Sequence, residues 1–234
     1  MRPDPWAEKP ARRIQKRGKI QKAHRLSGRK VRGVVVVETG LEVIAGLGAE
    51  LDPRVASWRP QPFTFDLVSG ETAATKDALI DRFRGSCEKP RPYTPDHLFR
   101  MRDAGDVIVE CKHTHWIRKN PEVIDRILTR LPRLGFRIVL LTEAHLRGAY
   151  GHNVRALAPL VRRPIPRLPE ILAFCQQPRQ FEEVKAHLSL SNNEILAAIA
   201  QGHLSCNLRL NRITPRTLVQ AAQDASYLWV PDLS

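Results

Sequence analysis

Leu41, Ile44, Leu47 and Leu51 recur at three- and four-residue steps, which places them on one face of a helix from Thr39 to Leu51 that Pro53 ends. Phe63, Phe65 and Leu67 alternate with polar neighbours, as along a strand. Residues 69–92 are polar and turn-rich, with one short helix expected near 77–83. Two further strands, 96–101 and 107–112, flank the turn Asp103-Ala-Gly-Asp106 and predict a hairpin. A helix is expected over 121–134, with Pro121 in its first turn, and the apolar run 138–141 reads as a buried strand. This strand, helix, strand order predicts an α/β fold: a mixed sheet flanked by helices.

Pro164, Pro166 and Pro169 fall within six residues, and such spacing favours an extended linker. Beyond it the pattern changes to helices over 181–188 and 192–201, a short strand over 204–210 and a helix from about Pro215. Three short helices with a strand suggest a helix-turn-helix or winged-helix module.

The chain has 234 residues, enough for one large or two small domains. Its net charge of +14 is unevenly spread. Residues 1–32 hold 12 basic and 2 acidic side chains, whereas the rest hold 26 and 22. A basic flexible arm beside a nearly balanced body points to a polyanionic partner, because Lys and Arg that neutralise phosphates release condensed counterions. The longest apolar run, 195–200, is far short of the roughly 18 residues that cross a bilayer, so no membrane association is expected. The Arg-rich start lacks the apolar segment of a secretory signal. Cys87, Cys111, Cys175 and Cys206 contain no C-x-x-C pair and read as reduced thiols of a cytoplasmic protein.

The stretch richest in chemistry is Tyr93-Thr-Pro-Asp96 followed by Val109-Glu-Cys-Lys112. Side chains alternate along a strand, so Glu110 and Lys112 share a face. A turn centred near 104 and 105 sets Asp96 opposite Lys112 and diagonal to Glu110. Two neighbouring carboxylates repel, and Mg²⁺, which takes hard oxygen ligands and binds phosphate, relieves that repulsion. A lysine beside them can orient water or stabilise charge on a phosphate. These parts suit a phosphodiester hydrolase. Glu42 is a further acid with a structural role open to it: Thr39-Gly-Leu-Glu42 has the spacing of a capping box.

The order Glu38-Thr-Gly-Leu-Glu42, Glu50-Leu-Asp-Pro-Arg-Val55, Gln61-Pro-Phe, Tyr93-Thr-Pro-Asp96 and Val109-Glu-Cys-Lys112 resembles the TnsA family of heteromeric transposase endonuclease subunits. The resemblance spans residues 38–112; His97, Cys111 and Arg59-Pro60 depart from the family pattern, and none of these departures removes a candidate ligand. It implies a restriction-endonuclease-like PD-(D/E)XK nuclease domain over 33–163 and a small winged-helix-like, partner-binding domain over 164–234. Glu42, Asp96, Glu110 and Lys112 would be catalytic. The three acids would bind Mg²⁺, with Mn²⁺ able to substitute. The implied activity is cleavage of the 5′ ends, the non-transferred strands, of a transposon. The implied partners are double-stranded DNA at the transposon ends, a TnsB-like integrase-type transposase, and a TnsC-like AAA+ ATPase that engages the C-terminal domain.

Rival readings are a stand-alone restriction or resolvase-type nuclease and a DNA-binding regulator without catalysis. His113-Thr-His115 could be taken for a metal pair, but no spacing supplies zinc with its remaining ligands. Trp116, Trp229 and Phe174 read as packing residues. The segment between residues 186 and 208 has no Lys or Arg, so its helix is expected to meet protein rather than base edges.

Overall fold

The computed structural model describes residues 9–11 and 23–233. They divide into two compact units, one of residues 1–46 and 54–143, the other of residues 47–53 and 144–234.

In the first unit, β1 (His24–Ser27) pairs antiparallel with β2 (Val34–Val37), whose four β-branched side chains favour extended backbone. The expected arm of residues 1–32 is therefore corrected at its C-terminal end. Residues 24–27 form a strand, and Lys30 and Val31 are buried, with the Lys30 carbonyl accepting from the Trp58 amide. Residues 1–8 and 12–22 of that arm lie outside the described residues.

Helix α1 (Gly40–Leu51) follows, then β3 (Val55–Pro60), β4 (Thr64–Asp66), β5 (Thr72–Ala73), α2 (Lys76–Arg82) and β6 (Pro92–Tyr93). The stretch expected to be mostly turns thus supplies two strand partners for β4, in the order β5-β4-β6. Asp66 pins the connection: its carboxylate accepts from the Ser69 amide and hydroxyl and from the Arg91 amide.

The main sheet is built from β3, β7 (His97–Met101), β8 (Val107–Cys111) and β9 (Arg137–Leu141), in the order β3-β7-β8-β9. The β3/β7 and β7/β8 pairs are antiparallel, and β8/β9 is parallel. A parallel pair needs a long crossover, and here α3 (Thr114–Lys119) and α4 (Pro121–Arg133) provide it. The sheet is mixed and flanked by helices, as expected.

Both faces of the central strands are covered, so β8 is buried along its whole length. On one face Leu98 and Ile108 pack with Ile124, Ile127 and Leu131 of α4 and with Phe65. On the other, the Trp58 ring meets the His97 ring edge-on at 5.4 Å, and a Cβ on Gly46 of α1 would stand 2.8 Å from Trp58. The small residue at 46 is what lets helix and indole come together.

The second unit contains α5 (Glu143–Leu146), α6 (Gly148–Leu157), α7 (Leu168–Phe174), β10 (Arg179–Gln180), α8 (Phe181–Leu188), α9 (Asn192–Ala200), β11 (Leu204–Ser205) and β12 (Leu218–Ala221). Its strands lie in the order β10-β12-β11, all antiparallel. Helices α8 and α9 start in capping boxes, Gln180 with Glu183 and Ser191 with Glu194.

Three expectations change here. The helix from Pro215 is instead the strand β12, whose backbone pairs with both β10 and β11. The strand expected over 204–210 stops at Ser205. The proline-rich linker admits α7, because Pro169 falls in the helix's first turn, where the missing N–H is no loss. The compact units change over at residue 144, and α6 buries Tyr150, Val154 and Leu157.

Ile127 is 1% exposed at the centre of the α4 contact. Ile127→Ala is expected to lower stability by about 2–5 kcal/mol, read as a reduced denaturant midpoint at constant slope. A loss below about 1 kcal/mol would show that α4 is not a principal support of the sheet.

Candidate active site

Asp96 immediately precedes β7, and Glu110 and Lys112 stand at the end of β8 and just beyond it. The register pairs His97 with Val109, Leu98 with Ile108 and Phe99 with Val107. Continued by one step, it sets Asp96 across from Glu110, not across from Lys112 as the expected turn centre implied. The correction has a plain cause. The last β7/β8 pair is Phe99 with Val107, β7 runs on to Met101 against β3 alone, and the loop 102–106 closes the hairpin about Asp103 rather than about 104 and 105, and loop length sets register.

This register gathers the three side chains. The Asp96 carboxylate accepts from the Cys111 amide at 2.9 Å and from Lys112 Nζ at 2.9 Å. Glu110 accepts from the Asp96 amide at 3.3 Å and is ion-paired with Lys112. Asp96 and Glu110 are 3% and 1% exposed. Lys112 keeps partial contact with solvent, and its Nζ lies 5.7 Å from the centroid of the Trp116 ring.

Glu42 comes from the first turn of α1. Its amide donates to Thr39 Oγ1 at 3.2 Å, and its carboxylate accepts from the amide of Glu38 at 3.0 Å. The capping role holds, with the return bond made one residue earlier than the sequence pattern suggested. His97, on β7, is fully buried and donates from Nε2 to the Glu42 carbonyl at 3.1 Å. Burial holds the His97 pKa down to about 4, so the ring is neutral at pH 7. The imidazole is thus a fixed strut between the sheet and the turn that carries Glu42.

The electrostatics show a site with more negative charge than its lysine balances. Burial, and then the charge of Asp96, push Glu42 and Glu110 up to about 7 each. Burial works against the Lys112 ammonium, yet Asp96 and Glu110 outweigh it and its pKa is raised. The lysine therefore stays charged, while each glutamate is poised between its two forms near neutrality.

No protein-family model matches the chain, and no curated protein matches it.

The donor chemistry suits a hard divalent cation. Two buried carboxylates, Asp96 and Glu110, hold one ammonium, Glu42 adds a third buried acid that feels the charges of Asp96 and Lys112, and all the acidic donors are oxygens. Among the described residues, no three His, Cys, Asp or Glu side chains come together as a set that could hold a metal ion. The Lys112 ammonium, bonded to both Asp96 and Glu110, takes the cationic part between them.

The sequence reading missed several neighbours. Glu143 follows β9, and the parallel register brings it beside residues 113 and 114. It accepts from the Thr114 amide and hydroxyl, and these bonds hold its pKa down to about 2. His113 Nδ1 lies 3.4 Å from the same carboxylate, and His113 is the residue that precedes α3. Only the pairing of β8 with β9 exposes this, since the two segments are thirty residues apart. Gln61 has φ of 45°, its amide donates to the Asp96 carbonyl, and its buried side-chain amide has no hydrogen-bond partner among the described residues. Its place in Gln61-Pro-Phe was the available signal. Trp116, read as a packing residue, is 36% exposed beside Lys112. Glu50 and Asp52 of the same motif series are buried, and Asp52 accepts from the Val230 amide at 2.8 Å within the second unit.

A carboxyl with a folded pKa near 7 and an unfolded value near 4.5 takes up a proton on folding between those limits. The contribution of such a group to stability is largest on the acid side and declines as pH rises through the window. The stability of the wild type relative to Glu42→Gln/Glu110→Gln should accordingly fall from pH 4.5 to about 7. Parallel stability curves for the two proteins would contradict the raised values.

Proposed function

We propose that this chain is a metal-dependent DNA endonuclease with a restriction-endonuclease-like PD-(D/E)XK core. In this reading it is the subunit of a heteromeric transposase that cuts the 5′ ends of the element. The observation that carries the reading is the convergence of Asp96, Glu110 and Lys112 at one end of the β7/β8 pair, with the Asp96 carboxylate 2.9 Å from Lys112 Nζ. The order of motifs from Glu38 to Lys112 supports the more specific assignment to the transposase subunit.

Asp96 and Glu110, with Glu42 as third acid, would hold Mg²⁺ or Mn²⁺. The ion, when bound, supplies Lewis-acid charge and a more acidic water. The chain's own groups do the rest. Lys112 is permanently protonated and can orient the attacking water or stabilise negative charge that builds on the scissile phosphate. Cys111 and Lys112 both donate to Asp96, which fixes its carboxylate. His97 holds the backbone at Glu42 and so fixes the height of the third acid above the sheet. Nucleic acid would be drawn to the basic residues at the chain's start, whose charge far exceeds that of the body.

The second unit, with its short helices and antiparallel β10-β12-β11 sheet, supports a winged-helix-like module. In the transposase reading it engages an AAA+ ATPase of the TnsC kind. An integrase-type transposase of the TnsB kind completes the assembly and processes the other strand.

Asp96→Ala and Lys112→Ala are each expected to reduce 5′-end cleavage in a reconstituted transposition reaction by a factor of at least about 10², with folding retained. Cleavage at the wild-type rate by either variant would remove those residues from the active site. Mn²⁺ or Ca²⁺ is expected to raise the melting temperature of the wild type in a concentration-dependent manner, and to leave Asp96→Asn/Glu110→Gln unmoved. An equal response in both proteins would place ion binding elsewhere.

A further inference from the structure

The connection between β11 and β12 carries a surface that the endonuclease reading does not use. Residues 206–217 contain Arg209, Arg212 and Arg216 and no acidic residue. All three arginines are exposed, together with Asn207, Asn211 and Thr214. Among the described residues neither Arg212 nor Arg216 makes an ion pair with a carboxylate, while Arg209 donates to the Trp229 carbonyl at 3.3 Å. At the turn between the first two arginines Leu210 is 75% exposed, the most exposed large apolar side chain of the described residues.

The loop is built to hold this shape. Asn153 of α6 is fully buried and makes three bonds to it. Its Nδ2 donates to the carbonyls of Leu208 at 2.9 Å and Asn211 at 2.8 Å, and its Oδ1 accepts from the Ile213 amide at 2.9 Å. Leu208, on the inner side, is 2% exposed. The Asn207 carboxamide accepts from the amides of Arg209 and Leu210, and Thr217 Oγ1 accepts from the Thr214 amide. Beside the loop is a cavity of about 560 Å³ lined by Asn211, Arg212, Thr214, Arg216 and Thr217, with no carboxylate on its walls.

A buried asparagine that fixes three backbone groups, a charge of one sign and an exposed leucine make a preorganised contact for a polyanion with an apolar groove. Duplex DNA has both. Arginines supply phosphate contacts and enter narrow minor grooves, and apolar side chains flanked by them lie against sugars or base steps there.

We infer that the β11–β12 loop of the second unit is a duplex-DNA contact, in which Arg209, Arg212 and Arg216 meet the phosphates and Leu210 faces the minor groove. DNA is then held through this loop and not through α9, whose exposed face lacks cations. The inference is independent of catalysis: the contact exists whether or not the first unit cuts.

The test is binding of the full-length chain to a fluorescently labelled duplex of arbitrary sequence, followed by anisotropy across a salt series without divalent ions. Arg212→Ala/Arg216→Ala should weaken binding to all duplexes alike and lower the magnitude of the log Kd against log salt slope by about 1 per arginine. Leu210→Ala should weaken binding and leave that slope unchanged. Melting temperatures equal to the wild type confirm that these exposed substitutions leave the fold intact. An unchanged slope in the double variant overturns the inference, as does duplex affinity equal to that of the wild type in both variants, which would assign the loop to a protein partner. Loss of cleavage in Asp96→Ala with retained loop-dependent binding would leave this contact standing, and loss of the contact with retained cleavage would leave the nuclease reading standing.

Discussion

The candidate site rests on the pairing of β7 with β8. With His97 opposite Val109, the next step outward puts Asp96 against Glu110, and Lys112 reaches back to both. A shift of one residue would turn Glu110 and Lys112 to the opposite face of the sheet. Burial on both faces prevents it: Ile108 would leave the core it shares with Leu98 and α4, and Val109 would take its place. Hydrophobic packing along the strands thus determines where the charges at their ends can be.

That packing also explains why the charges behave as they do. Taking a carboxylate out of water costs several kcal/mol, and an unpaired one shifts its pKa before it stays charged. Glu42 and Glu110 each accept a backbone amide, yet burial and then the charge of Asp96 raise both toward neutrality. Lys112 compensates part of the excess. The result is a cluster that is stable with one internal cation and has capacity for more positive charge, a property suited to a site that handles phosphate and divalent ions. The burial that stabilises the sheet is therefore the same feature that raises the two glutamates toward neutrality.

Legibility varied with the range of the interaction involved. The helix at 40–51 and its cap, α4, and the helices α8 and α9 all followed from spacing within a few residues. The candidate acids and lysine were legible because a strand's alternation is local. Glu143, Trp116 and the His97 strut were not, since each depends on a neighbour brought in by sheet pairing or helix docking. The segment after Pro215 was misread for the same reason: Leu218 to Ala221 has no decisive pattern of its own and becomes a strand because β10 and β11 lie on either side of it.

By itself the sequence determined the class of the fold, the positions of the main helices, the concentration of charge at the chain's start and the candidate site residues. Periodicity, capping and composition are properties of neighbouring residues and need no fold to be read. Tertiary structure alone decided which acid faces which, how far Lys112 reaches, that Glu42 stays tied to its helix start while sensing Asp96, and that Asn153 shapes a loop more than fifty residues away. These are matters of register and burial, and both are settled by how the whole chain excludes water rather than by any segment of it.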